Sequence, residues 1–412
     1  MSIVKDKNLA DAGRRKIQWV RDFMPALSQI EARFAKEKPF QGLRVAVSVH
    51  LEAKTANLGL VLKAGGADVY LTGSNPLSTQ DDVAAGLASM GVETFGIHGA
   101  SQEEYEAHLI ETLRPHPHLI VDDGGDLIHL LGGECAPYGD CVMGGCEETT
   151  TGILRLKARE RAGILPCPMV AVNDAKSKHY YDNKYGTGQS VWDAVMHISN
   201  LIVAGKTVVV AGYGWCGKGV AMRAAGMGAT VIITEIDPFK ALDATMQGFR
   251  VMKMEEAAKL GDVFVTVTGC TDVITPAHFQ VMKHNALLCN AGHFDCEVDV
   301  AGLSQMAASH QLRRDSIVGY TLPDGRVLNV CAEGRLVNLA AGNGHPAEIM
   351  DMSFAVQALT LEWLTKQKGL EKKVYQVSPQ IDDQIARVKL AAMGLSVDAL
   401  TPEQEAYLTG WK

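Results

Sequence analysis

The 412-residue sequence holds no apolar run that approaches the ~18 residues of a membrane-spanning helix. It has no basic block, and a formal net charge of −8 argues against a nucleic-acid partner. Low-complexity stretches and internal repeats are missing, apart from a recurring alternation of strand-like and helix-like segments. The amino end, MSIVKDKNLADAGRRKIQWV, mixes acids with bases and lacks the apolar core of a signal peptide, so a cytoplasmic location is expected. Nine cysteines are present, but no zinc-type spacing. Cys135, Cys141 and Cys146 cluster loosely downstream of His129; they read as reduced thiols, and no metal is expected.

What is present is organised around Val208–Gly219, VVVAGYGWCGKG. A short apolar run ends in glycine, and a helix-like segment follows. A second apolar run, Val231–Thr234, ends in Glu235, 23 residues after Gly212. This is the dinucleotide-binding pattern in its proper context. Gly212 makes the tight turn, Gly214 admits the pyrophosphate to backbone N–H groups, and Gly217 allows close packing of helix on strand. The anion sits at the helix N-terminus, where unpaired N–H groups and the helix dipole favour negative charge. Glu235 accepts from a ribose diol and repels a 2′-phosphate, so the cofactor expected is NAD.

Upstream, Leu43–Val49 reads as a strand buried on both faces of a parallel sheet. Further strands are expected at 68–71, 93–97, 118–121 and 168–172, with helices between them. Ser101 and Glu104 form a capping box opening a helix at Gln102. Two doubly wound parallel-sheet α/β domains follow from this alternation. The long helix after Pro346 is apolar on one face and is expected to return to the first domain. The expected division is a split substrate-binding domain (1–187 and 345–390) around a Rossmann-like NAD-binding domain (188–344), with a short C-terminal segment (391–412). Tyr185–Gly188 and the glycines around Asn343 are the expected hinge strands. His50, Asp123 and Asn173 fall just past strand ends, the edge at which open α/β sheets bind ligands.

The chemistry is densest in Asn173–Thr187. Here, and in DDGGD (122–126), EETTTG (147–152), SKHYYDNKYG (177–186), AGYGWCGKG (211–219), ITEIDP (233–238), NAGHFD (290–295), AEGRLVNL (332–339) and GHP (344–346), the chain resembles the S-adenosylhomocysteine hydrolases. The resemblance covers nearly the whole length. It implies a homotetramer acting on a small nucleoside thioether. It also implies reversible NAD-dependent hydrolysis of S-adenosyl-L-homocysteine to adenosine and L-homocysteine by 3′-oxidation, 5′-elimination, water addition and re-reduction. The logic is chemical: a thioether C–S bond resists direct hydrolysis, whereas a 3′-ketone acidifies the 4′ C–H and lets sulfur leave.

By the same resemblance, Lys178 and Asp182 hold the 3′-hydroxyl, with Lys178 as first base, its pKa open to depression beside a positive nicotinamide in the closed cleft. Asp123 takes the 4′ proton, and His50 with His293 serves the 5′ side. Glu148 accepts from the ribose hydroxyls, and His345 lies at substrate or hinge. Thr149, Thr150, Thr151, Asn183, Asn290 and Asn338 join Gly212, Gly214, Gly217 and Glu235 in holding NAD. Three departures stand out. Thr187 occupies a position where the family often has cysteine. Trp215-Cys216 replaces a small acidic–apolar pair. A C-terminal lysine and tyrosine that reach a neighbouring subunit's cofactor have no counterpart, which puts NAD affinity and exchange in question.

A fourth departure concerns the base. Relatives commonly carry threonine two places and glutamate or glutamine four places after the histidine matching His50; here these are Glu52 and Lys54. Lysine has no acceptor for a 6-amino group but donates to a 6-oxo oxygen, while Glu52 can accept from N1–H. S-inosyl-L-homocysteine is therefore the alternative substrate. A net NAD-dependent dehydrogenase would share the cofactor pattern but leaves the first domain's motifs unexplained. A catalytically silent relative should have lost Lys178, Asp182 or His293.

Overall fold

The computed structural model describes residues 2–411 as two eight-stranded sheets with helices on both faces. The first sheet runs in the order Ile3–Val4, Glu93–Gly96, Asp68–Thr72, Arg44–Ser48, Leu119–Asp122, Gly144–Glu147, Met169–Ala171, Val374–Gln376, and every neighbouring pair is parallel. The second runs Arg250–Val251, Thr230–Thr234, Thr207–Ala211, Val263–Thr266, Leu287–Asn290, Val327–Cys331, Ile317–Thr321, Ser309–Arg314; its last two strands are antiparallel. The central strands are the continuous Val/Ile/Leu runs of the sequence. They are buried on both faces, as parallel sheets require.

The strand Gly144–Glu147 (GGCE) is not legible from propensity, because two glycines and a cysteine carry no strand pattern. It forms by pairing with Leu119–Asp122 on one side and Met169–Ala171 on the other, and glycine is required because the space is narrow: a Cβ on Gly145 would stand 2.9 Å from the Ile120 carbonyl oxygen and 2.9 Å from Met169 Sδ. The two-residue edge strand Ile3–Val4, the strand Val374–Gln376 and the hairpin Ser309–Thr321 are likewise additions to the sequence reading. Tyr185–Gly188, expected as a hinge strand, is helical: it joins a π-helix (His179–Gly186) to the helix Thr187–Ser199.

One hydrophobic core joins Ile17–Phe34, the first sheet and the helix Ala347–Thr365, with Ile385 from Pro379–Ala392. Separate cores lie on the two faces of the second sheet. The chain passes from the first sheet to the second through the helical stretch 176–199 and returns through the loop before Pro346.

Asp351, fully buried on the returning helix, fastens this arrangement. Its carboxylate accepts from the N–H groups of Ala26 (3.1 Å) and Leu27 (2.8 Å), at the start of the helix Pro25–Glu37. It also takes the ammonium of Lys389 at 2.8 Å. Asp351→Ala leaves these donors and a half-buried ammonium without a partner. The expected loss is ~3–5 kcal/mol, read as a lowered urea midpoint relative to wild type, with Asp351→Asn losing less.

Candidate active site

The carboxyl ends of the two sheets face one cleft of about 1340 Å³. Its walls include His50, Glu52, Lys54, Asp123, Glu148, Thr149, Thr150, Thr151, Lys178, Asp182, Asn183, Gly212, Gly214, Glu235, His293, Asn338 and His345, so most of the residues singled out in the sequence converge there.

Two groups of ionisable side chains meet in the cleft. In the first, Lys178 Nζ lies 3.3 Å from Asp182, 3.6 Å from Glu148 and 2.7 Å from Asn183 Oδ1, all buried. Each carboxylate is fixed from elsewhere. Ser353 donates to Asp182 at 2.7 Å, and His345 Nδ1 contacts its other oxygen at 2.5 Å. Gln357 donates to Glu148 at 2.5 Å. Asn183 in turn donates to Asn173 at 3.1 Å, and Asn173 to Thr150. Glu148 Oε1 has no hydrogen-bond partner within the protein, as expected of an acceptor aimed at a ligand.

The second group is His50, Asp123 and His293. His50 Nε2 stands 3.4 Å from Asp123, and the two histidine rings are 6.0 Å apart. Ser78 contacts His50 Nδ1 at 2.7 Å, and Ser74 donates to Asp123 at 3.0 Å. The three residues could converge on a metal ion. As acid–base groups they need none.

Electrostatics separates the two groups. Burial lowers His50 to about 4 despite Asp123, so its ring is neutral at pH 7. Burial pushes Glu148 up to about 8, with Lys178 opposing and Asp182 adding to the shift. Burial alone would raise Asp182; Lys178 and His345 outweigh it and hold the carboxyl far below the usual range. The depression expected of Lys178 depends on a positive nicotinamide; in the protein's own field burial acts to lower Lys178, but Asp182 and Glu148 overcome burial and raise it, so it is an ammonium.

The fit to NAD can be tested on the glycine loop. Gly212 has φ +100°, which L-residues avoid, and a Cβ on Gly217 would lie 2.0 Å from the Gly212 carbonyl. A Cβ on Gly214 meets no protein atom within 4 Å, leaving its approach open to a phosphate at the N-terminus of Trp215–Gly226. Glu235 is held at the rim by the N–H groups of Tyr213, Ile236 and Asp237. Asn338 donates to Ser190, while its buried Oδ1 is left without a protein partner. These residues fit NAD. Asn290 does not line the cleft: its side chain accepts from Thr266 and Gly292 and donates to Phe294, so it shapes the loop that carries His293. Gly217 also lies behind the wall, in its packing role.

Sequence reasoning passed over Ser353 and Gln357, whose spacing of four on the long helix puts both on one face. It also passed over Ser74, Ser78 and Glu297. Glu297 accepts from Thr268 and Gly269 and so ties two cofactor-side loops together.

Comparison with known proteins gives concordant matches. Family models described as S-adenosyl-L-homocysteine hydrolase and as its NAD binding domain match residues 2–138 and 183–344. The chain is 53% identical to the adenosylhomocysteinase of Aquifex aeolicus over 99% of its own length and 98% of the relative's. It is 52% identical to the S-inosyl-L-homocysteine hydrolase of Methanocaldococcus jannaschii over 99% of both.

The position of His50 sets a pH dependence. Its pKa in the folded protein, about 4, lies below the ordinary 6.5, so the unfolded chain binds the proton first. Stability is therefore lost as pH falls from 6.5, and the loss is complete near 4. In His50→Gln the drop in urea midpoint between pH 7 and pH 4.5 should be smaller than in wild type. Equal drops would mean that His50 is not held neutral.

Proposed function

The chain belongs to the S-adenosyl-L-homocysteine hydrolase family, and on that footing we propose that its cleft hydrolyses S-adenosyl-L-homocysteine reversibly to adenosine and L-homocysteine. It is a hydrolase with an NAD-binding domain. The observation that best supports the reading is the pairing, in one cleft, of a Lys178–Asp182–Glu148 group with a His50–Asp123–His293 group. The first suits a ribose 3′-hydroxyl and the second a 5′-sulfur.

When bound, NAD supplies hydride acceptance and return at ribose C3′. With a positive nicotinamide bound, the carboxylates' pull on Lys178 would be opposed, and its amine would then take the 3′-hydroxyl proton. Asp182 holds the same hydroxyl, and Glu148 accepts from the ribose diol through Oε1, which has the Lys178 ammonium at 3.6 Å but no hydrogen bond within the protein. Asp123 takes the 4′ proton acidified by the adjacent ketone. His50, held neutral by burial, and His293 handle the proton at sulfur and at the incoming water. Thr149, Thr150, Thr151, Asn183, Asn338 and Glu235 hold the cofactor.

A second reading of the substrate is favoured by Glu52 and Lys54. Both are buried and line the cleft, and Lys54 Nζ meets Glu52 at 2.7 Å and donates to the Asn343 carbonyl at 3.0 Å. Glu52 also caps its helix, accepting from the Lys54 N–H at 3.0 Å. An ammonium with a third hydrogen to spare at this place suits a 6-oxo base, hence S-inosyl-L-homocysteine.

Residues 1–187 and 345–390 are assigned to the substrate domain, 188–344 to the NAD domain and 391–412 to a C-terminal segment. Exposed apolar side chains on Pro238–Met246 (Phe239, Leu242, Met246) and in the C-terminal segment (Tyr407, Leu408, Trp411) favour a homotetramer. Among the described residues no helix is long and apolar enough to cross a membrane, and a cytoplasmic location is proposed.

Two experiments test these assignments. Thiol release from S-adenosyl-L-homocysteine, followed by mass spectrometry, should be abolished in Lys178→Ala, with bound NAD remaining oxidised. His50→Ala should still reduce bound NAD but release thiol ~100-fold or more slowly; equal NAD reduction in wild type and both variants would refute the division of roles. For the base, kcat/KM is compared for the S-inosyl and S-adenosyl compounds. Lys54→Gln should move the ratio toward adenosyl by roughly tenfold or more. A wild type that prefers adenosyl, with a ratio unmoved by Lys54→Gln, removes the inosyl reading.

A further inference from the structure

The unusual Trp215 of the glycine loop takes no part in the chemistry above, yet it is the centre of an aromatic cluster joining the two walls of the cleft. It is the first residue of Trp215–Gly226, at the helix end where the pyrophosphate belongs. Its ring stacks on His179, with centroids 5.3 Å apart and planes inclined by 22°. Tyr180 meets it edge-on at 4.8 Å and also closes on His179 at 4.5 Å. From one turn further along the loop's own helix, Lys218 sets its ammonium 4.9 Å over the Trp215 ring, held in place by Asp243 at 2.7 Å. His179 and Tyr180 follow Lys178 directly, on the segment that carries Asp182 and Asn183 into the site.

We infer that Trp215, His179, Tyr180 and Lys218 form a clasp across the mouth of the NAD site, and that this clasp sets how slowly bound NAD exchanges. The loop under the pyrophosphate and the segment over the nicotinamide end come from different parts of the chain. Trp215 and Lys218 line the cleft, while His179 and Tyr180 pack on Trp215 from the segment that follows Lys178. Loosening of the glycine loop against this segment breaks the His179 stack and the Tyr180 edge contact together, and it is this loosening that frees a dinucleotide held at both. A small acidic residue at position 215 would offer neither contact.

The test uses NAD-loaded enzyme incubated with excess deuterated NAD, with replacement of bound cofactor followed by mass spectrometry. Trp215→Ala should exchange roughly tenfold faster or more, the scale of two or three aromatic and cation–π contacts. Trp215→Phe should fall between it and wild type. His179→Ala should also exchange faster, and the double variant no faster than Trp215→Ala, because both changes open the same clasp. Exchange in Trp215→Ala at the wild-type rate overturns the inference. So do additive effects of the two substitutions, which would mean that each residue acts on its own wall. If Trp215→Ala does not retain NAD at all, His179→Ala decides: faster exchange supports the clasp, and wild-type exchange overturns it. Wild-type protein that holds no NAD would instead count against the cofactor assignment itself.

Discussion

Three ionisable groups are buried together, with Lys178 within 3.6 Å of both Asp182 and Glu148, and much of the architecture exists to make that tolerable. Removing charges from water costs several kcal/mol each unless geometry and hydrogen bonding compensate. Compensation comes from four separate segments. Lys178 closes the short helix Lys176–Lys178 and Asp182 lies in the π-helix that follows it, Glu148 comes just after a strand of the first sheet, Ser353 and Gln357 descend from the returning helix, and His345 comes from the loop before it. The cluster is a meeting point of chain segments far apart in sequence, and it forms only when both passages between the sheets are in place.

The same constraint explains why the crossing stretch is helical rather than an open hinge strand. The short helix Lys176–Lys178 and the π-helix that continues it turn Lys178, Asp182 and Asn183 inward together, and the carboxylate of Asp382, on the helix Pro379–Ala392, caps the start of the short helix by accepting from the N–H groups of Lys176 (2.7 Å) and Ser177 (2.8 Å). Close contact with the cofactor helix completes the fit: Gly219 leaves room for the Lys184 carbonyl, which a Cβ there would meet at 1.7 Å. Asp351 then binds the returning helix to the amino-terminal and carboxy-terminal helices. Catalytic placement and lobe stability thus draw on overlapping contacts.

Charge is distributed to match. Clustered carboxylates at the end of the first sheet raise one another, with burial pushing Asp122 up to about 7 and Glu148 to about 8. His50 is kept neutral by burial beside Asp123. Groups of opposite tendency therefore face one cleft, as a reaction needing acid and base at separate carbon atoms demands.

The sequence alone determined the cofactor pattern, the alternation of strands and helices, and the strand-end positions of His50, Asp123 and Asn173. These follow from local rules: glycine spacing, apolar periodicity and the parallel sheet's habit of presenting its carboxyl edge to ligands. It also marked Glu52 and Lys54, because the chemistry of donors and acceptors is written in residue type. Only the tertiary structure decided the sign of the Lys178 shift, since that depends on two carboxylates brought from positions 148 and 182 against the opposing effect of burial. It alone made a strand of Gly144–Glu147, where crowding rather than propensity selects the residues. It moved Asn290 behind the cleft wall and brought Trp215 against His179, because side-chain direction and contact across distant segments are properties of packing.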